Sequence, residues 1–74
     1  MVNDTAVADE INSLMLDVAS RINESIAMVQ TRCPEAEFRG YQLAAGKVMG
    51  EILVEILNPL YRLHPNLRPP DLKV

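Results

Sequence analysis

Residues 38–60 (FRGYQLAAGKVMGEILVEILNPL) constrain the fold more than any other stretch, because as a helix they are apolar around most of the circumference. The charged residues Lys47, Glu51 and Glu55 fall on one stripe that covers only about a quarter of the helix surface. A surface helix of a globular protein needs one apolar face. This sequence therefore predicts a helix that is covered by other elements on two sides.

The apolar residues of this helix form two rows about 120° apart. The first row is Phe38, Tyr41, Ala45, Val48, Ile52 and Ile56, and the second is Leu43, Gly46, Gly50, Leu53 and Leu57. A glycine inside a helix costs roughly 1 kcal/mol relative to alanine. Two glycines one turn apart, with leucines beside them, predict close packing against another backbone. We therefore treat all five residues of the second row, together with Tyr41, Val48, Ile52 and Ile56 of the first, as candidate residues for close helix packing or a dimer interface.

The chain has 74 residues, so it holds at most one small domain, which is marginally stable alone. A single cysteine, Cys33, cannot form an intrachain disulfide, and one cysteine with one histidine cannot complete a structural zinc site. No cofactor is expected. Oligomerisation is the remaining way to stabilise so short a chain.

The charge distribution and the lack of targeting signals bear on which partners and which cellular location we expect. Residues 1–57 carry a net charge of −5 and residues 58–74 a net charge of +2, which disfavours a broad nucleic-acid surface. Charges at every turn of the apolar helix argue against a membrane span. The N-terminus has no basic or apolar segment of a secretory signal, and the lone cysteine fits a reducing compartment. We expect a cytoplasmic protein.

Local signals divide the chain into a helical hairpin (residues 1–63) and an extended proline-rich tail (residues 64–74). Helix 1 is predicted over about residues 5–32, with an N-cap among residues 3–5 and an apolar stripe. Cys33-Pro34 ends it, and helix 2 is predicted over about residues 34–57. Asn58-Pro59 predicts either a kink or a new short helical turn over about residues 59–63.

The short connection predicts an antiparallel hairpin. One face of helix 2 then covers helix 1, and its other face stays bare. Bare apolar surface of this size normally marks an interface. We therefore predict an all-α hairpin that forms a homodimeric four-helix bundle. The pattern does not decide which row of helix 2 meets helix 1.

Catalysis is not expected. Cys33 and the only histidine, His64, stand at opposite ends of helix 2, about 36 Å apart along a helix of this length. Glu51 and Glu55 are one turn apart, but they lie on the polar stripe and lack the Glu-x-x-His partner of carboxylate metal sites. The pattern therefore predicts a protein that is not an enzyme.

The tail combines apolar and basic side chains, namely Tyr61, Arg62, Leu67, Arg68 and Leu72. Such a segment either recognises another protein in extended form or places its leucines over the end of the bundle.

The sequence favours a small, dimeric adaptor or regulator that binds another protein. One alternative is a nucleic-acid-binding hairpin dimer that uses the basic residues of the tail and the hairpin turn. A second is a carrier of a small apolar ligand in a cleft between helices. Neither alternative has a sequence motif behind it.

Overall fold

The computed structural model of the chain describes residues 1–70, and within this range every regular element is helical. The elements are α1 (Thr5–Arg32), α2 (Glu35–Glu51), a π-helical segment (Ile52–Leu57), α3 (Asn58–Leu63) and a 3-10 turn (Pro65–Leu67). The helix that α2 begins packs antiparallel to α1. The prediction of an all-α helical hairpin is confirmed.

The start and end of α1 follow from local chemistry. The carboxylate of Asp4 accepts a hydrogen bond of 2.9 Å from the amide of Val7, which satisfies one of the free N–H groups of the first turn. At the other end Cys33 is extended (φ −126°, ψ 158°), as expected for a residue that precedes proline. Pro34 then leads directly into α2, so the connection is short and the two helices lie side by side.

The backbone does not break at Pro59. Leu57 and Asn58 both have right-handed helical dihedral angles, so α3 continues the helix that began at Glu35. Proline has no N–H, and its ring clashes with the carbonyl four residues earlier in a regular α-helix. Here the turn before Pro59 widens, and the amide of Asn58 donates to the carbonyl of Leu53, five residues back. The π segment therefore accommodates the proline within a continuous helix.

The π segment also rotates the distal part of the helix. One extra residue in a turn changes the helical phase by about 100°. On a regular wheel Leu57 would share a face with Gly46 and Gly50. In the structure Leu57 is instead buried, 4% exposed, and so are Leu60 and Tyr61. The extra residue turns the last part of the helix toward α1.

The well-packed core lies at the end of the hairpin that holds the chain's N-terminus, which we call the closed end. Buried there are Ala8, Asn12, Leu57, Leu60, Tyr61 and His64. Elsewhere in the described residues only Ala45 is buried. The molecule measures 45 × 20 × 16 Å, and its radius of gyration of 14.4 Å exceeds the roughly 11 Å of a compact chain of this length. The hairpin is elongated and lightly packed.

Part of the predicted extended tail forms a helical turn, and Arg68 after it is extended (φ −67°, ψ 124°). Pro65–Leu67 forms one 3-10 turn, closed by a 3.0 Å bond from the amide of Leu67 to the carbonyl of His64. The side chain of Asn12 donates to the carbonyl of Leu67 at 3.4 Å, so this turn lies against α1. The predicted tail residue Leu72 lies outside the described residues.

Candidate interaction surface

Large apolar side chains on both helices remain exposed. Among the described residues these are Met1, Val7, Leu14, Met28, Tyr41, Leu43, Val48, Val54 and Leu63, with exposures from 39% to 64%. Within residues 1–70 only one large side chain, Leu60, is completely buried. These exposed side chains make the hairpin surface a candidate interaction surface.

Four of these residues share one side of the hairpin, which we call the valine face: Val7 and Leu14 on α1, and Tyr41 and Val48 on α2. Each pair is spaced by seven residues and therefore follows one helical stripe. Ser25 lies on the same stripe of α1 as Val7, and its hydroxyl is 2.7 Å from the hydroxyl of Tyr41. That hydrogen bond joins the two stripes into one surface.

The floor of the valine face is a shallow apolar cleft between the helices. It has a volume of about 180 Å³ and is lined by Ile22, Tyr41, Ala44, Ala45 and Val48. Further half-buried aliphatic side chains, Ile11, Val18 and Ile52, continue the stripes on either side. The valine face therefore has apolar side chains at its rim and along its floor.

The two hydroxyl groups on the valine face, those of Ser25 and Tyr41, are already satisfied. The hydroxyl of Ser25 donates to the carbonyl of Ile22 at 2.6 Å, so the hydroxyl of Tyr41 must be the donor in the Tyr41–Ser25 bond. A partner that covered this surface would leave neither hydroxyl without a hydrogen bond. Burial of the face therefore carries no penalty for an unpaired polar group at this position.

A second open surface, the glycine face, consists of Leu43, Gly46 and Gly50 on α2. A Cβ atom added at either glycine would meet nothing within 4 Å. These glycines therefore do not pack against α1. Of the first row, Ala45 is buried and Ile52 and Ile56 are half-buried, whereas Tyr41 and Val48 stay exposed, so this row faces α1 only in part. Leu53 is half-buried, and Leu57 has left the glycine face because of the π segment.

The glycine face has mixed chemistry. A shallow groove on it is lined by Arg39, Gln42, Leu43, Gly46 and Lys47. Leu43, 64% exposed, is its one large aliphatic side chain. The lining of this groove is more polar than that of the cleft on the valine face, and it includes two cations.

The closed end contains a buried polar network. The hydroxyl of Tyr61 donates to Oδ1 of Asn12, whose amide nitrogen donates to the carbonyl of Leu67. Nε2 of His64 is 2.9 Å from the carbonyl of Val2 and donates to it, because a carbonyl oxygen only accepts. Burial raises the pKa of Tyr61 above its usual 10.0, although the nearby Arg68 opposes this. These hydrogen bonds attach Val2 and Leu67 to the helical part of the chain.

The predicted partner-binding tail is divided between interior and surface. Tyr61 is 6% exposed, so its ring belongs to the core. Arg62 and Arg68 are on the surface and, with Asn58 and the edge of Tyr61, line an open groove of about 310 Å³. Leu67 is half-buried.

The candidate chemical groups are dispersed. Within residues 1–70 no three side chains of histidine, cysteine, aspartate or glutamate are placed to hold a metal ion. Cys33 is a half-buried free thiol at the hairpin turn, and His64 lies at the closed end. None of the described helices combines the length and the apolar character that a membrane crossing requires.

Sequence reasoning missed Asn12 and His64 as core residues. Both are polar, and their partners, Tyr61 and Val2, are 49 and 62 residues away along the chain. One signal was available in the sequence. Ala8 and Asn12 are four residues apart and so share one side of α1, and their small side chains leave room for a large side chain such as that of Tyr61. Nothing local to His64 distinguished it from a tail residue.

Comparison with models of known protein families, with curated proteins and with solved structures found no match to this chain.

Proposed function

We propose that the protein is a small, non-catalytic interaction module that self-associates as a homodimer of helical hairpins and, in that form, binds another protein. The observation that carries this proposal is the exposed apolar surface on both helices of the described chain. Two hairpins packed face to face would form a four-helix bundle, the usual way for such helices to bury apolar stripes.

The surface area of the chain supports self-association. The accessible surface is 5283 Å², whereas a compact monomer of 8.3 kDa exposes about 4,600 Å². The excess is close to the roughly 800 Å² that each partner buries in an interface of standard size. One interface with a second copy would therefore bring the exposed area per chain to the range of a compact protein.

A role as an interaction module also agrees with the chemistry. The cysteine and the histidine stand at opposite ends of the hairpin, and the carboxylates of Glu51 and Glu55 are exposed on the polar stripe. Apolar surface distributed over two faces is typical of proteins that bind other proteins. With one face used for self-association, the other remains for a partner.

Self-association is tested by sedimentation velocity over about 1–100 μM, a range that spans the affinities of stable dimers. We expect a species of twice the chain mass that dissociates only on dilution. A folded, compact monomer throughout this range would disprove the dimer.

Binding to another protein is tested by affinity purification of the tagged protein from its own cells. Leu43→Glu and Leu14→Glu serve as matched variants, since each places a charge on one exposed face. We expect a co-purifying protein that is lost with one of the two variants. Identical recovery with both variants and with the unmodified chain would exclude binding through either face.

A further inference from the structure

We propose that the valine face is the surface on which a second copy of this chain packs, whereas the glycine face stays outside the dimer. This inference rests on the proposed function, because it assigns a surface to the self-association proposed above. The contact between the two copies is then formed by Val7, Leu14, Tyr41 and Val48.

The first reason is that the valine face belongs to both helices. Val7 and Leu14 come from α1, and Tyr41 and Val48 come from α2, with the apolar cleft between them. A layer of two helices that packs on an identical layer becomes a four-helix bundle with one continuous core. The glycine face is built on α2 alone, so packing there would leave the stripe of α1 uncovered.

The second reason is the match in size. The accessible surface of 5283 Å² exceeds the about 4,600 Å² of a compact monomer of 8.3 kDa by an amount close to the roughly 800 Å² that each partner buries in a standard interface. A two-fold axis brings the same patch of each copy together, so one apolar face is sufficient for both partners. A second copy is therefore an occupant of the right size and chemistry.

The third reason is the state of the polar groups. Ser25 and Tyr41 satisfy each other and the carbonyl of Ile22 within one chain, so a second copy can cover them without breaking a hydrogen bond. On the glycine face a partner would have to accommodate Lys47 and Arg39, and Arg39 is paired with Glu35 at 2.9 Å. Burial of a charge without a partner among residues 1–70, as at Lys47, opposes association.

The test compares three glutamate substitutions at exposed positions. Leu14→Glu and Val48→Glu alter the valine face on different helices, at residues 54% and 53% exposed. Leu43→Glu is the matched control on the glycine face, at a residue 64% exposed. Glutamate is a good helix former, so none of these changes weakens the helix itself.

The dissociation constant of each variant is measured by sedimentation equilibrium. We expect it to rise at least about tenfold for Leu14→Glu and Val48→Glu, as at a central interface position, and to stay within about twofold for Leu43→Glu. Dissociation by Leu43→Glu, or a dimer that tolerates both valine-face variants, would overturn the assignment. A monomeric unmodified protein would instead overturn the proposed function itself, so the two failures are distinguishable.

A measurement on the unmodified chain covers the case in which a variant fails to fold. With methyl-labelled valine and leucine, a soluble paramagnetic agent reports which methyl groups solvent reaches. We expect the methyl signals of Leu14 and Val48 to be shielded in the dimer, whereas those of Leu43 broaden. Equal broadening at all three residues, or shielding at Leu43 alone, contradicts the proposal.

Discussion

The closed end and the turn half of the hairpin (residues 18–48) differ in how the same two helices are covered. At the closed end a third element, residues 64–67, lies against the pair, and Leu60 and Tyr61 are buried beneath it. In the turn half two helices face each other alone, and only Ala45 is buried. Two helices share one seam, so side chains away from that seam stay in water unless another layer covers them.

The chain buries large side chains at the closed end by itself, whereas in the turn half it leaves apolar side chains exposed. The closed end closes itself with the π segment, the 3-10 turn and the Asn12–Tyr61 network. The turn half has no third element, and part of the valine face lies there. Five predictions test or refine this contrast, in order of decreasing expected effect.

The largest effect should come from single-residue deletions in the two parts of the second helix. Deletion of Val54 combined with Pro59→Ala removes the extra residue of the π segment and the proline that needs it. The parts of the second helix before and after the deletion then still turn the same side chains toward α1. We therefore expect this variant to fold. Deletion of Ala44 rotates the start of α2 by about 100° and should remove most of a stability of about 5 kcal/mol.

Circular dichroism with urea titration measures both deletions. If both deletions lower the free energy of unfolding equally, the π segment does not serve to rotate the last part of the helix toward α1. Such a result would show instead that the segment is needed for its own geometry.

Replacement of the buried leucine at the closed end should be the next most damaging change. Leu60 is completely buried, so Leu60→Ala leaves a cavity and should cost about 2–5 kcal/mol. Leu63, three residues later and 48% exposed, is the matched control, and Leu63→Ala should cost less than about 1 kcal/mol. Urea unfolding midpoints give both values. Similar losses for the two leucines would mean that the closed end is no better packed than the surface.

The buried polar network should contribute measurably to the same end. Tyr61→Phe leaves Oδ1 of Asn12 without its donor, and Asn12→Ala leaves the tyrosine hydroxyl unpaired, at about 1–3 kcal/mol each. A double-mutant cycle should give a coupling energy of at least about 0.5 kcal/mol. The exposed counterpart, Tyr41→Phe, should cost about 0.5 kcal/mol or less. Strictly additive single effects at the closed end would contradict a direct Tyr61–Asn12 bond.

The glycine face should tolerate larger residues. Added Cβ atoms at Gly46 and Gly50 meet nothing within 4 Å, so Gly46→Ala and Gly50→Ala should each stabilise the helix by about 0.5–1 kcal/mol. Melting temperatures should rise by a few degrees, with the oligomeric state unchanged. Lower melting temperatures together with dissociation would reveal a close helix crossing at the glycines, as the sequence first suggested, and would contradict the valine-face assignment.

The smallest effect concerns alkaline pH. The folded state raises the pKa of Tyr61 above its usual 10.0, so the folded chain holds the phenolic proton more tightly than the unfolded chain. This contribution to stability is fully present below pH 10 and is lost as the pH rises through the folded pKa. The free energy of unfolding should therefore fall above about pH 10, and Tyr61→Phe should remove that component. An unchanged alkaline slope in Tyr61→Phe would assign the effect to other groups.

Several features were available from the sequence because they depend on neighbours a few residues away. Asp4 caps α1, Pro34 separates the helices, and the period of the apolar residues identifies the faces of each helix. The exposure of apolar surface also follows from the pattern, since a second helix with two apolar rows exceeds what one neighbour covers.

The tertiary structure alone decided how the faces are used. The phase of the helix beyond Ile52 depends on where an extra residue is inserted before Pro59, and a regular wheel assigns Leu57 to the wrong face for that reason. The Asn12–Tyr61 bond joins residues 49 apart, so no local pattern predicts it. Periodicity establishes which side chains share a stripe, but only the packing of α1 against α2 determines which stripe is buried and which remains in water.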